Sequence, residues 1–266
     1  MLFEKIQLTE DNDVYLEAYV SEKVGNFVRD TILVIPGGGY GGVCTDREGE
    51  PIAQAFVPFG FNAFVLHYSV GRKRSYPSQL VEASLAIKHI KDNADKYNIN
   101  KDRIFILGFS AGGHLAGSLG TMWHRKEIYD AIPNMDFGYN KPCGMMLIYP
   151  VLNNHKGSFQ NLLCKDNLSQ ADISKVDVVK AVDKNTVPAF IMHTFNDEIV
   201  PVSNSLDMAA ALNKIGVTFE MHIFPDAPHG VALCNEITKT WDDQRLVNPV
   251  MAKWVEFAAT WSKTIK

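Results

Sequence analysis

Three side chains of this sequence have the types that acyl transfer requires: a serine, an aspartate and a histidine, in that order along the chain. Ser110 stands in Gly108-Phe109-Ser110-Ala111-Gly112, between an apolar run that starts at Ile104 and a long stretch with helical spacing. A hydroxyl is a weak nucleophile until a base removes its proton, and the base needs a third group to fix its tautomer. A tight strand–turn–helix corner projects a nucleophile from the edge of a sheet, and glycines on both flanks relieve the crowding. The helix that follows aims its positive N-terminus at the corner, which favours an oxyanion there. Taken in isolation, the same residues also read as a Gly/Ser turn that only starts a helix.

The base must come from eight histidines. His67, His193 and His222 fall inside strand patterns and read as core or sheet-face residues. His89 lies on the polar side of a helix, His124 near a helix end, and His155 in an irregular stretch. His114 follows the corner by one helical turn and is expected to pack there. His229 differs: it lies in Phe224-Pro225-Asp226-Ala227-Pro228-His229-Gly230, a Pro/Gly-punctuated loop directly after an apolar run. Such a loop can carry an imidazole to the serine, although a surface-turn histidine would look alike. The acid expected is Asp197, in the loop after Ala189–Thr194. Its bland reading is a turn or capping acid. Glu198 is expected to point elsewhere, and Asp226, the rival beside His229, to face solvent.

Hydrolysis through a tetrahedral intermediate also needs N–H donors, each worth about 3 kcal/mol in the transition state. Ile35-Pro36-Gly37-Gly38-Gly39-Tyr40-Gly41-Gly42 follows an early strand, and its glycines let backbone approach a substrate closely. Gly38 and Gly39 are the expected oxyanion donors, with the N–H of Ala111 as the third. No G-K-[ST] and no G-x-G-x-x-G opening a helix is present, which disfavours a nucleotide site. Tyr40 is expected to contact the acyl or leaving group. Arg47 and Glu48 read equally well as site-lining residues and as a solvated helix start. Trp241 and Trp254 are expected to pack the C-terminal region.

These residues need a scaffold that brings strand ends together. Apolar runs read as strands at 31–36, 61–69, 103–108, 144–150, 189–194 and 217–225. Helical spacing separates them: Leu80, Ala83, Ile87 and Ile90 share one face, and 203–216 runs from Ser203, a candidate N-cap, to Gly216, a candidate C-terminal stop. Pro249 sits near the start of a last helix. Strands alternating with helices imply a mostly parallel sheet covered on both faces, with functional loops at the carboxyl ends of the strands. The stretch 153–186 breaks the rhythm, and Phe159, Leu162, Leu163 and Leu168 within it argue against full disorder; a cap or lid folded over a site is expected, although a surface excursion with its own minor core would look alike.

The bulk composition fits one domain over residues 1–266, with 46% hydrophobic residues and a formal net charge of −4. No basic stripe suggests nucleic acid. The acid-bearing N-terminus does not read as a secretory signal, and no apolar run would span a bilayer, so a cytoplasmic protein without a membrane partner is expected. Cys44, Cys143, Cys164 and Cys234 are scattered without C-x-x-C spacing, which favours reduced thiols over zinc or disulfides. A homo-oligomer is compatible with the sequence.

The residues quoted resemble the α/β-hydrolase superfamily, in its esterase/lipase branch with a glycine-rich oxyanion loop. The motif typical there is H-G-G-G; here Pro36 replaces the histidine. The combination of PGGGY, GFSAGGHLA, Tyr76-Pro77 and HIFPDAPHG is most similar to bacterial acetyl xylan esterases and related carbohydrate esterases, from about Thr31 to the last helix. The resemblance implies an α/β-hydrolase fold with a cap-like insertion. It also implies attack by Ser110, proton transfer by His229, orientation by Asp197, and no metal or organic cofactor. The substrate implied is a small ester, favoured here as an acetylated oligosaccharide. Rival expectations are a kynurenine formamidase-like amide hydrolase and a non-catalytic binding protein on a hydrolase scaffold.

Overall fold

The computed structural model describes residues 1–153 and 155–266, so the segment 153–186 is described apart from Asn154, which lies outside the described residues. Eight strands form one sheet: β1 (Leu2–Gln7), β2 (Tyr15–Val20), β3 (Arg29–Ile35), β4 (Phe61–His67), β5 (Ile99–Phe109), β6 (Gly144–Ile148), β7 (Ala189–Thr194) and β8 (Phe219–Phe224). Their order is β1-β2-β4-β3-β5-β6-β7-β8. β1 and β2 pair antiparallel, as do β2 and β4, and every pairing from β4 to β8 is parallel. The sequence pattern marks the last six. It does not mark β1 and β2, because Glu4, Lys5 and Glu17 interrupt their apolar runs, as charges do on strands with a wet face.

The helices are α1 (Thr45–Glu48), α2 (Glu50–Phe56), α3 (Ser78–Asp92), α4 (Ala94–Tyr97), α5 (Ser110–Met122), α6 (Lys126–Ala131), α7 (Lys156–Leu163), α8 (Gln170–Val176), α9 (Ser203–Ile215) and α10 (Trp254–Ser262). The helical stretch that carries Leu80, Ala83, Ile87 and Ile90 is α3, and a second short helix follows it after a break at Asn93. Ser203 is the first residue of α9 rather than its cap: Val202 precedes the helix, and no side chain caps it. Gly216 stops α9 in the left-handed region, as expected. Before α10, the Asn248 side chain accepts from the N–H groups of Val250 and Met251, so the chain turns into that helix directly after Pro249, as expected.

Alternation along the central strands loads both faces of the sheet. Leu33, Ile35, Ile104 and Ile106 join the core beneath α3 and α5. Ile32, Val34, Phe105 and Leu107 join the opposite core, with α2 and α10. This is the arrangement of an α/β-hydrolase: a largely parallel sheet wrapped by helices. Because β3, β5, β7 and β8 run parallel, their carboxyl ends share one edge, and the loops after them carry the glycine stretch, Ser110, Asp197 and His229.

The segment 153–186 forms α7 and α8 and adds Phe159, Leu162, Leu163, Val176 and Val178 to the core on the α5 side. It is tied to the loop before α3 by Tyr76 N–H donating to Leu162 O at 2.9 Å and Ser75 Oγ to Leu163 O at 3.2 Å. No helix among the described residues is long and apolar enough to cross a membrane.

Candidate active site

Ser110 sits where β5 gives way to α5, with φ of 51°. A non-glycine residue with positive φ is strained, and that strain persists only where the surroundings enforce it. The flanking glycines show the enforcement. A Cβ on Gly108 would lie 2.8 Å from Ala116 Cβ, and one on Gly112 would lie 2.7 Å from the Pro36 carbonyl carbon. Ser110 O also accepts from Val151 N–H at 3.0 Å, which fixes the corner against the end of β6.

The side chains expected to cooperate are brought together. Ser110 Oγ lies 2.8 Å from His229 Nε2, and His229 Nδ1 lies 2.7 Å from Asp197 Oδ2. With Asp197 ionised, Nδ1–H donates to the carboxylate and Nε2 is left to accept from the serine hydroxyl. Asp197 Oδ1 accepts from the N–H groups of Ile199 and Val200 at 2.9 and 2.8 Å. Burial alone would raise this carboxyl. Donation by His193 and His229 and from Val200 N–H outweighs burial and holds it well below the usual carboxylate range. Asp226, the rival acid, is exposed and accepts from Asn196 Nδ2 at 3.3 Å.

His193 is fully buried, as expected, but it also serves the site. Its Nε2 is 3.3 Å from Asp197 Oδ2 and 3.0 Å from Val200 O, and its Nδ1 is 2.7 Å from Ser205 Oγ. The sequence holds a clue to this role: His193 precedes the acid by four residues, on the strand that enters its loop.

Gly38 and Gly39 have φ of 126° and 61°, and Tyr40 has φ of 57°. The loop closes on itself through Gly41 and Gly42, whose N–H groups donate to Gly38 O at 3.0 and 3.2 Å. A Cβ on Gly38 would lie 2.7 Å from the Gly42 carbonyl carbon, so only glycine fits. Among the described residues, the N–H groups of Gly38 and Gly39 have no protein acceptor. Ala111 lies in the first turn of α5, where amides lack an intrahelical partner. These are the three donors expected of an oxyanion hole.

Tyr40 corrects the sequence reading. Its side chain is 1% exposed and does not line the cavity at Ser110. It turns inward because the left-handed backbone at Gly39 and Tyr40 directs it to α5. There its hydroxyl meets His114 Nδ1 at 2.8 Å, while His114 Nε2–H donates to Val176 O at 2.7 Å. Burial pushes His114 down to about 4. Tyr40 therefore anchors the glycine loop instead of touching a ligand.

Glu48 is the other residue whose role sequence leaves open. It is 2% exposed, so the solvated-helix reading does not hold. Its Oε2 accepts from Gly37 N–H at 2.7 Å and its Oε1 from Tyr149 OH at 2.9 Å. Tyr149 OH accepts in turn from Ala232 N–H at 3.1 Å, and its ring packs edge-on against His229 at 5.0 Å. One buried carboxyl thus joins the glycine loop to the loop that carries His229. Burial raises the Glu48 carboxyl, and the Gly37 N–H, Arg47, Tyr149 and His229 act against that rise.

A cavity of about 180 Å³ opens at Ser110 and His229. Gly38 and Gly39 form one part of its wall, and His155 and Ser158, from the start of α7, another. A larger groove of about 780 Å³ lies around Lys91, Asp102 and Tyr139, but its lining brings no serine and histidine together. The arrangement at Ser110 has the parts for nucleophilic acyl transfer: a hydroxyl, a base with a fixed tautomer, a buried acid and free N–H donors.

Comparison with known proteins agrees with this geometry. The BD-FAE family matches residues 13–212. The chain is 38% identical over 215 residues to endo-1,4-beta-xylanase B of Butyrivibrio fibrisolvens, covering 78% of this chain and 33% of that protein. It is 29% identical over 234 residues to the acetylxylan esterase of Xylanibacter ruminicola, covering 85% and 45%. The chain therefore spans less than half the length of these two relatives. The crystal structure of an acetyl ester-xyloside bifunctional hydrolase from Caldicellulosiruptor lactoaceticus superposes with a TM-score of 0.83 at 31% identity, covering 98% of this chain and 96% of that one.

Proposed function

The chain belongs to the BD-FAE family, and from that premise we propose that it is a serine carboxylesterase. It removes acetyl or another short acyl group from carbohydrates such as acetylated xylo-oligosaccharides. The observation that carries this reading is the continuous relay of 2.8 and 2.7 Å contacts from Ser110 through His229 to Asp197. The names of the Xylanibacter and Caldicellulosiruptor proteins support the acetyl-carbohydrate part of it.

Ser110 Oγ attacks the ester carbonyl as His229 Nε2 takes its proton. The N–H groups of Gly38, Gly39 and Ala111 receive the developing oxyanion. Asp197 holds the imidazole in orientation and stabilises its cation. The imidazolium then protonates the sugar oxygen, which leaves, and the acyl-serine remains. Water, deprotonated by the same imidazole, releases the carboxylic acid and restores the hydroxyl. No step calls for a metal or an organic cofactor.

The test is acetate release from acetylated xylo-oligosaccharides, with a chromogenic acetate ester as control and Ser110→Ala as the blank. Release that disappears in the variant supports the whole reading. Turnover of the chromogenic ester alone keeps the nucleophile and discards the carbohydrate. Undiminished turnover by folded Ser110→Ala sinks the mechanism.

A further inference from the structure

Trp241, expected from sequence to pack the C-terminal region, is 58% exposed and lines the cavity at Ser110. The other three tryptophans, Trp123, Trp254 and Trp261, are buried. Ile199, two residues after the buried acid, is also largely exposed and lines the same cavity. Large apolar side chains left in water at the mouth of a cavity mark a ligand-contacting surface.

His155 adds a directed polar group. Its Nδ1 accepts from Ser158 N–H at 3.1 Å, capping α7. An imidazole that accepts through Nδ1 carries its proton on Nε2, so the distal nitrogen is a donor. Burial, with the neighbouring His229, lowers His155 and favours this neutral form. The residue lines the cavity beside Ser110. An indole face and an aliphatic side chain combined with a fixed N–H donor suit a ligand with one C–H face and hydroxyls at its edge. A sugar ring has that amphipathic build, whereas a simple alkyl alcohol lacks the hydroxyls.

We propose that Trp241, Ile199 and His155 Nε2–H form a subsite for the sugar ring of the departing alcohol. The inference rests on the carbohydrate-esterase reading and adds which residues select the alcohol. The inserted segment then contributes to specificity through His155. Trp241 supplies stacking area with little side-chain entropy to lose.

The experiment compares kcat/KM for mono-acetylated xylobiose with kcat/KM for methyl acetate, whose alcohol is too small to reach the subsite. Trp241→Ala is expected to lower the ratio of the two by roughly tenfold, chiefly through KM of the sugar ester, and Trp241→Phe to restore part of it. His155→Asn keeps a good helix cap but lacks the distal donor, and is expected to lower the ratio by roughly threefold. A ratio unchanged in both alanine and asparagine variants overturns the subsite while leaving the carbohydrate reading in place. A wild-type protein that cleaves methyl acetate but releases nothing from acetylated xylobiose overturns both.

Discussion

The side-chain amide of Asn161 donates to the carbonyl of Gly39 at 3.0 Å, bridging from α7 to the glycine loop. The loop is held from the other side by Tyr40, His114 and Val176 O, and Val176 ends α8. Both helices of the inserted segment thus brace the glycine loop, whose N–H groups are proposed to receive the oxyanion. A neutral hydrogen bond is worth about 1 kcal/mol. Asn161→Ala is therefore predicted to reduce kcat by roughly three- to tenfold, with the melting temperature within a few degrees of wild type. Steady-state kinetics beside thermal denaturation check this. A loss of stability with kcat intact would mean the contact serves packing alone.

Asp197 fixes the imidazole tautomer, so Asp197→Asn is predicted to lower kcat by roughly 10³–10⁴ without unfolding the chain. His193 acts only through Asp197, so His193→Gln should cost far less, roughly tenfold, and should alter the pH profile of kcat/KM as well as its height. Equal losses in the two variants would contradict this ranking.

His114 gives a signature in stability. It is buried and neutral, with its folded value lowered by burial from 6.5 to about 4. Below about 6.5 the unfolded chain takes up a proton that the folded chain refuses until about 4. Stability from this group is complete above the upper value and is lost as pH falls between the two. The loss amounts to about 3 kcal/mol across the window. His114→Gln, neutral at all pH, should be less stable at pH 7 yet show a flatter decline toward pH 4.5. Urea unfolding at both pH values measures it, and parallel slopes would refute the assignment.

Glu48 predicts the opposite slope. Its carboxyl is raised by burial, so the folded chain binds the proton more tightly than the unfolded one. Its contribution is greatest at low pH and declines as pH rises from the unfolded value toward the folded one. The stability of Glu48→Gln relative to wild type should therefore improve with rising pH through that window. The amide should also slow turnover, because its NH₂ cannot accept from Tyr149 OH while its oxygen stays on Gly37 N–H. Melting curves across pH, paired with kcat, test the two consequences separately.

The parts of the site that are legible in sequence are those with a local signature. Gly108, Ser110 and Gly112 announce a corner, and the loops of Asp197 and His229 announce strand ends. The β1–β2 hairpin carries no such signature, because charged residues on its half-wet face hide its alternation. Tyr40 sits beside the loop glycines, a place that by itself suggests contact with a ligand. The left-handed turn that sends it inward meets its partner, His114, only 74 residues later. Glu48 likewise looks like an ordinary helix-start acid until folding brings Tyr149 to it, 101 residues away. Trp241 shows the same limit in reverse: its type suggests core, and only the cavity shows that it stays at the surface. Side-chain types can be read locally, but partners that meet across the sheet cannot.

Ser110 and His229 lie 119 positions apart, and the imidazole follows β8, an edge strand of the sheet. During synthesis the serine corner leaves the ribosome well before any partner for it exists. A chain folded only around β3, β5 and β6 would hold Ser110 with no imidazole beside it. The imidazole reaches the serine only once β8 has joined β7, so the proposed activity depends on the pairing of an edge strand.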